Sequence, residues 1–233
     1  MLRLRPLLLL RVVLTACGGS EKGGKEERPG EARFPAGPRA STTVAALGDS
    51  ITAGSPLWDP DAAKRLQIGP GATRESQYEH WAARRLPRTR FINCGVFGER
   101  TDQIARRLNA CSKDADALIV QGGINDVAQD RPVALAARSL RAMVQRGERL
   151  GMRVAITEVL PWNNGPPPAE AAIVRLNRAI RAIGREERVP VFAWYGRLED
   201  PGRPGRMRAD WTIDGDHPSV EGYRRLADTV VLP

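Results

Sequence analysis

The chain has only two histidines, and one of them, His217, follows an aspartate by three positions in Asp214-Gly215-Asp216-His217-Pro218. A carboxylate at that spacing can fix an imidazole in one tautomer and stabilise its protonated form, as a general base needs when it takes a proton from a hydroxyl. A hydroxyl suited to that base stands far away in sequence, in Gly48-Asp49-Ser50-Ile51-Thr52, directly after the apolar run Thr43–Leu47. At a strand-to-helix turn a serine presents its Oγ outward while its own N–H faces the same space. Taken alone, a serine in this setting is more often a helix cap.

Two further loops offer donors for a developing negative charge. In Asn93-Cys94-Gly95-Val96-Phe97-Gly98-Glu99-Arg100-Thr101 the glycines let backbone approach a ligand, and the Gly98 N–H can face an oxyanion. In Gly122-Gly123-Ile124-Asn125-Asp126 the donor is the Asn125 side chain. Nucleophile, base, orienting carboxylate and donors together describe acyl transfer. Asp126 and Asp216 read as structural hydrogen-bonding groups, because their neighbours already fill the reactive roles. His80 lies in a helical pattern and reads as a packed or surface residue. Trp58 follows the Ser50 loop, while Trp162 and Asn163 follow a later strand. These are the candidate pocket residues, although an indole that can flank an acyl chain or stack on a sugar can equally pack its own loop.

Those loops must be positioned by regular elements. Short apolar runs at Thr43–Leu47, Arg90–Asn93, Ala117–Gln121, Arg153–Leu160 and Val189–Ala193 predict five strands. Between them lie helical stripes. Glu75–Leu86 opens with Ser76-Gln77-Tyr78-Glu79, which has the form of a capping box. Thr101 is placed to cap a helix carrying Ile104 and Leu108, and Ser219 to cap one carrying Val220, Tyr223, Ala227 and Val230. Further stripes run through Val133, Ala137, Leu140, Val144 and Leu150, and through Ile173, Leu176, Ile180 and Ile183. Apolar strands alternating with helices predict a doubly wound parallel sheet, α/β in class and without a second domain. In such sheets ligands bind beyond the carboxyl ends of the strands, where these loops fall.

With the loops in that order, a resemblance becomes visible. Gly48-Asp49-Ser50 resembles the first block of the GDSL/SGNH hydrolases. Gly98 with Thr101, and Arg107-Leu108 beyond, resembles their second. Gly123-Ile124-Asn125-Asp126 and Asp214-x-x-His217-Pro218 resemble the third and last. The resemblance spans roughly Thr43 to Val231. It implies a three-layer flavodoxin-like fold, a five-stranded parallel sheet with helices on both faces. It further implies Ser50 as nucleophile, His217 as base and Asp214 as its orienter. The implied oxyanion hole consists of the Ser50 and Gly98 N–H groups and the Asn125 amide, with neither metal nor cofactor. The implied reaction is hydrolysis of an ester through an acyl-enzyme, with acyl esters, lysophospholipids, thioesters and acetylated glycans all open as substrates. The other reading is a tethered carbohydrate- or lipid-binding protein that keeps the fold without turnover. A missing triad member would favour it, and none is missing. The Gly-x-Ser-x-Gly elbow of α/β-hydrolases and the P-loop are both absent from the sequence.

A net charge of +9 invites a nucleic-acid partner. However, the basic residues are nearly all Arg, scattered along helical stretches without interleaved aromatics, which describes a solvated surface instead. The N-terminus suggests where the protein works. Arg3 and Arg5 precede Leu7–Leu10 and Val12-Val13-Leu14, and the segment closes on Leu14-Thr15-Ala16-Cys17. This has the form of an export signal over residues 1–16, too short to span a bilayer, although Arg11 interrupts its apolar stretch. Leu-Thr-Ala-Cys resembles a bacterial lipobox, which implies a lipid anchor on Cys17 and a location at the cell surface or in the periplasm, a soluble secreted form being the alternative. Residues 17–40 are rich in Gly, Pro and charge and read as a flexible tether to a hydrolase domain over 41–233. Export exposes Cys94 and Cys111 to oxidation. A helix running back across the sheet would separate them, so a bridge and two free thiols both stay open.

Overall fold

The computed structural model describes residues 42–232. The export signal, Cys17 and the tether expected over residues 1–40 lie outside the described residues.

The chain opens with β1 (Thr42–Gly48), followed by α1 (Ser50–Ala53), α2 (Ala62–Ile68) and α3 (Tyr78–Arg85). Then come β2 (Thr89–Gly95), α4 (Thr101–Cys111), β3 (Ala117–Val120), α5 (Ile124–Ala128) and α6 (Val133–Arg149). After β4 (Arg153–Thr157) and α7 (Pro167–Glu187) the chain forms β5 (Val191–Phe192) and α8 (Trp194–Leu198). A hairpin of β6 (Glu199–Asp200) and β7 (Arg203–Met207) and the closing helix α9 (Val220–Ala227) complete it. The five strands β1–β5 form one parallel sheet in the order β2-β1-β3-β4-β5.

Alternation along the strands divides the core into two layers. Ala45, Leu47, Leu118, Val120, Val154 and Ile156 face one side, where α4, α6 and α7 bury Leu108, Leu140 and Leu176. Val44, Ala46, Ala117, Ile119 and Ala155 face the other, where α3, α8 and α9 bury Tyr78, Trp194 and Tyr223. This is the expected three-layer α/β/α arrangement. Because β2 and β3 lie on opposite sides of β1, the chain leaves β1 in one direction and returns in the other. The carboxyl ends of these strands therefore flank a switch point, the crevice in which open α/β sheets hold their ligands.

Local expectations needed correction in several places. The fifth strand shrinks from Val189–Ala193 to two residues, and the fourth stops at Thr157. Ser76 does not cap α3: its Oγ donates to Gly54 O at 2.8 Å, and Glu79 is buried instead of reaching back. Thr101 begins α4 as its first residue, with Arg100 as the cap, since its N–H and hydroxyl both donate to Asp126 at 2.8 Å. Ser219 does cap α9, accepting the Gly222 N–H. Cys94 and Cys111 are joined as a disulfide with 5.9 Å between Cα atoms. An eleven-residue helix is about 16 Å long. Because α4 starts one loop beyond the end of β2, its last turn returns over Cys94. Closing a loop of this length contributes about 3 kcal/mol by chain-entropy estimates.

Candidate active site

Ser50 is the first residue of α1, and the helix-cap role falls to its neighbour. The Asp49 carboxylate accepts the Ile51 N–H at 3.0 Å, so the Ser50 hydroxyl is not spent on capping. Asp49 is itself fully buried. Burial pushes its carboxyl up to about 6, against the Ile51 N–H and Gln121, which lower it. Gln121, at the end of β3, locks the turn from below. Its Oε1 accepts the Asp49 N–H at 3.0 Å and the Thr52 hydroxyl at 2.8 Å. Across the sheet, β2 comes so close to α1 that a Cβ on Gly95 would lie 2.0 Å from the Ala53 nitrogen. Only glycine fits there.

His217 reaches Ser50 from 167 positions away, its Nε2 lying 3.1 Å from Ser50 Oγ. Its Nδ1 lies 2.8 Å from Asp214 Oδ2, and its backbone N–H donates to Asp214 Oδ1 at 2.7 Å. The Asp216 N–H donates to the same oxygen at 2.9 Å. Burial pushes the Asp214 carboxyl up, but the His217 and Asp216 hydrogen bonds outweigh it and hold the group below the usual carboxylate range. An ionised Asp214 therefore faces the imidazole at neutral pH. The loop itself is pinned by the Thr212 hydroxyl, which donates to His217 O at 2.7 Å and accepts the Gly215 N–H at 2.9 Å.

The two donor loops meet each other. Asn125 Nδ2 donates to Glu99 O at 3.0 Å, which leaves the second N–H of the amide for a ligand. Gly98, in the same loop as Glu99, has φ +78, and a Cβ there would meet nothing within 4 Å. Arg107 braces the floor, giving hydrogen bonds to Cys94 O at 2.7 Å and Gly48 O at 3.0 Å while paired with Glu99 at 2.6 Å. It thereby ties the ends of β1 and β2 together. Asp126 takes the structural position expected of it, accepting from Thr101 and Arg131.

The pocket residues separate. Trp58 lines a cavity of about 450 Å³ together with Pro56, Lys64, Ile68 and Phe97. The guanidinium of Arg65 lies 4.7 Å from the centre of the Trp58 ring. Trp162 and Asn163 do not line that cavity. Trp162 Nε1 donates to Asp216 Oδ1 at 2.7 Å. Asn163 pairs with Met207 at both backbone atoms, at 3.0 and 2.6 Å, and so holds β7 beside the His217 loop. Phe97 was not assigned a role from the sequence. It stacks on His217 with ring centroids 6.1 Å apart, stays 60% exposed, and joins the histidine to the Trp58 cavity. The only signal for it was a lone aromatic between glycines in a loop.

Several solved structures share this fold. A GDSL-like lipase from Bacteroides thetaiotaomicron is 19% identical with a TM-score of 0.64, covering 81% of this chain and 85% of its own. The acetylxylan esterase of Geobacillus stearothermophilus is also 19% identical at a TM-score of 0.64, covering 82% and 93%. A lipase/acylhydrolase from Enterococcus faecalis is 22% identical at 0.64, covering 81% and 92%. At these identities the likeness concerns the fold. No curated protein matches the chain significantly. The profile of the GDSL-like lipase/acylhydrolase family matches residues 46–225, from within β1 to within α9, and the chain belongs to that family.

Proposed function

We propose that this protein hydrolyses carboxylic esters through an acyl-enzyme on Ser50. The observation that carries the reading is one continuous contact line, Ser50 Oγ to His217 Nε2 and His217 Nδ1 to Asp214. His217 takes the hydroxyl proton as Ser50 Oγ attacks the acyl carbon. The charge that develops on the carbonyl oxygen is received by the Ser50 and Gly98 N–H groups and the free Asn125 amide hydrogen, each such donor typically lowering the barrier by about 3 kcal/mol. His217 then gives the proton to the departing alcohol. Water repeats the attack on the acyl-serine with His217 again as base, releasing the acid and restoring the hydroxyl. Asp214 keeps the imidazole in the tautomer that accepts at Nε2 and stabilises its protonated form.

The Trp58 cavity is the place for the bulkier part of the ester. Trp58 and Phe97 offer flat apolar faces that suit an acyl chain or a sugar ring. A fluorophosphonate probe should label Ser50, and Ser50→Ala should lose both label and turnover while remaining folded. Ser50→Ala with full activity would overturn the mechanism. p-Nitrophenyl esters of graded chain length, assayed beside acetylated xylan, rank the substrate classes. We further propose that the enzyme acts outside the cytoplasm, tethered through Cys17.

A further inference from the structure

A second cavity, about 590 Å³, lies between α3 and the outer strand β2. Arg74, Arg84 and Arg90 stand on its wall, and none has a carboxylate within ion-pair distance among the described residues. Arg74 and Arg84 lie over the indoles of Trp58 and Trp81, a use of the guanidinium face that leaves its N–H edge available. Arg90 makes one long contact, 3.4 Å to the Thr43 hydroxyl. The charges of Arg84 and Arg74 meet at His80. Burial, then the charges of Arg84 and Arg74, depress its imidazole, with Glu75 opposing. His80 Nε2 is buried without a partner.

The rest of the lining is neutral or neutralised. Gln77 and Asn93 present amides, bonded to each other at 3.0 Å. Glu79, 3% exposed, has no partner for either carboxyl oxygen. Burial pushes that carboxyl well above the usual range, which favours its neutral form over a competing negative charge. The volume is that of a small-molecule site and far exceeds a bare anion.

We propose that this cavity binds a sugar-sized polar molecule bearing one oxyanionic group, phosphate or carboxylate. The arginine edges take the oxyanion. The Gln77 amide and the Asn93 carbonyl oxygen take its hydroxyls. The site is separate from the Ser50 chemistry but touches its support, since Asn93 Nδ2 also donates to Thr52 O at 2.6 Å, on the helix that begins with Ser50.

Calorimetric titration of the full chain tests this without reference to turnover. Glucose 6-phosphate or glucuronate should bind saturably, at least tenfold more tightly than inorganic phosphate, and neutral glucose should not bind. The sugar that binds names the anionic group. The double variant Arg84→Gln, Arg90→Gln alters only exposed side chains. It should weaken binding at least tenfold and leave ester hydrolysis unchanged, while Ser50→Ala should bind as the native chain does. Absence of saturable binding by both sugars, binding unaltered in the double variant, or inorganic phosphate binding as tightly as the sugars would overturn the proposal.

Discussion

The indole N–H of Trp162 donates to the Asp216 carboxylate at 2.7 Å, and Asp216 lies between Asp214 and His217 in the loop that reaches Ser50. The segment after β4 therefore helps to hold the loop that carries the imidazole. Trp162→Phe keeps the packing and removes the donor. It should lower kcat about tenfold, because small displacements of a general base are costly, and leave KM near its native value. The lost charge-assisted hydrogen bond should cost about 1–3 kcal/mol of stability. A change confined to KM would return Trp162 to the substrate wall.

Asn125 carries a separate prediction, because one of its amide hydrogens is already committed to Glu99 O. Asn125→Ala removes a transition-state donor and also frees the Gly98–Glu99 loop. Turnover on p-nitrophenyl acetate should fall by about 10²–10³ with little change in KM. Asn125→Asp, which keeps the shape but loses the donors, should fall as far. Substantial activity in Asn125→Asp would remove the amide from the oxyanion hole.

The contrast between these two asparagine-containing loops shows what the sequence can carry. Ser50, Asn125, Asp214 and His217 were legible because each sits in a short block whose chemistry is set by neighbours within a few positions. The hydrogen bonds of Trp162 and Asn163 were not legible because their partners, Asp216 and Met207, lie 54 and 44 positions away. The same holds for Thr101, whose cap geometry lost to Asp126, 25 positions on. The strands of the central sheet were visible as apolar runs because both faces are covered. The β6–β7 hairpin was not, since Arg203–Met207 is a run of Arg, Pro and Gly before a single Met, with no apolar alternation to read. Its place is fixed by side chains of another segment.

Asp49 makes stability depend on pH in a direction opposite to most carboxylates. Its folded value, about 6, lies above the ordinary 3.8, so the folded chain holds this proton more tightly than the unfolded chain. The contribution is fully present below pH 3.8, is lost as pH rises towards 6, and stays lost above it. Asp49→Asn keeps an oxygen for the Ile51 N–H and cannot ionise. From pH 4 to 7 the stability difference should therefore move in favour of the variant by about 2 kcal/mol, most of it before pH 6. Urea unfolding of both proteins across that range measures it. A difference that stays constant, or moves towards the native chain, would show that Asp49 ionises freely in the fold.

The last prediction concerns where the chemistry takes place. Leu14-Thr15-Ala16-Cys17 follows a basic and apolar start, and residues 18–40 are rich in Gly, Pro and charge. Acylation of Cys17, as proposed above, would tie the hydrolase to a lipid surface. Lipid on both the thiol and the new amino terminus would supply the two-signal anchoring that a single chain does not. Every residue of the proposed mechanism lies beyond Ser41, so the tether should govern location and leave the chemistry alone. A chain beginning at Ser41 should be folded, released from membranes, and as active on soluble esters as the full protein, whereas the full protein should fractionate with membranes. Cys17→Ser should release it without altering kcat. Mass spectrometry of the mature N-terminus is the direct check: an intact Met1, or cleavage that leaves Cys17 without lipid, would refute the anchor.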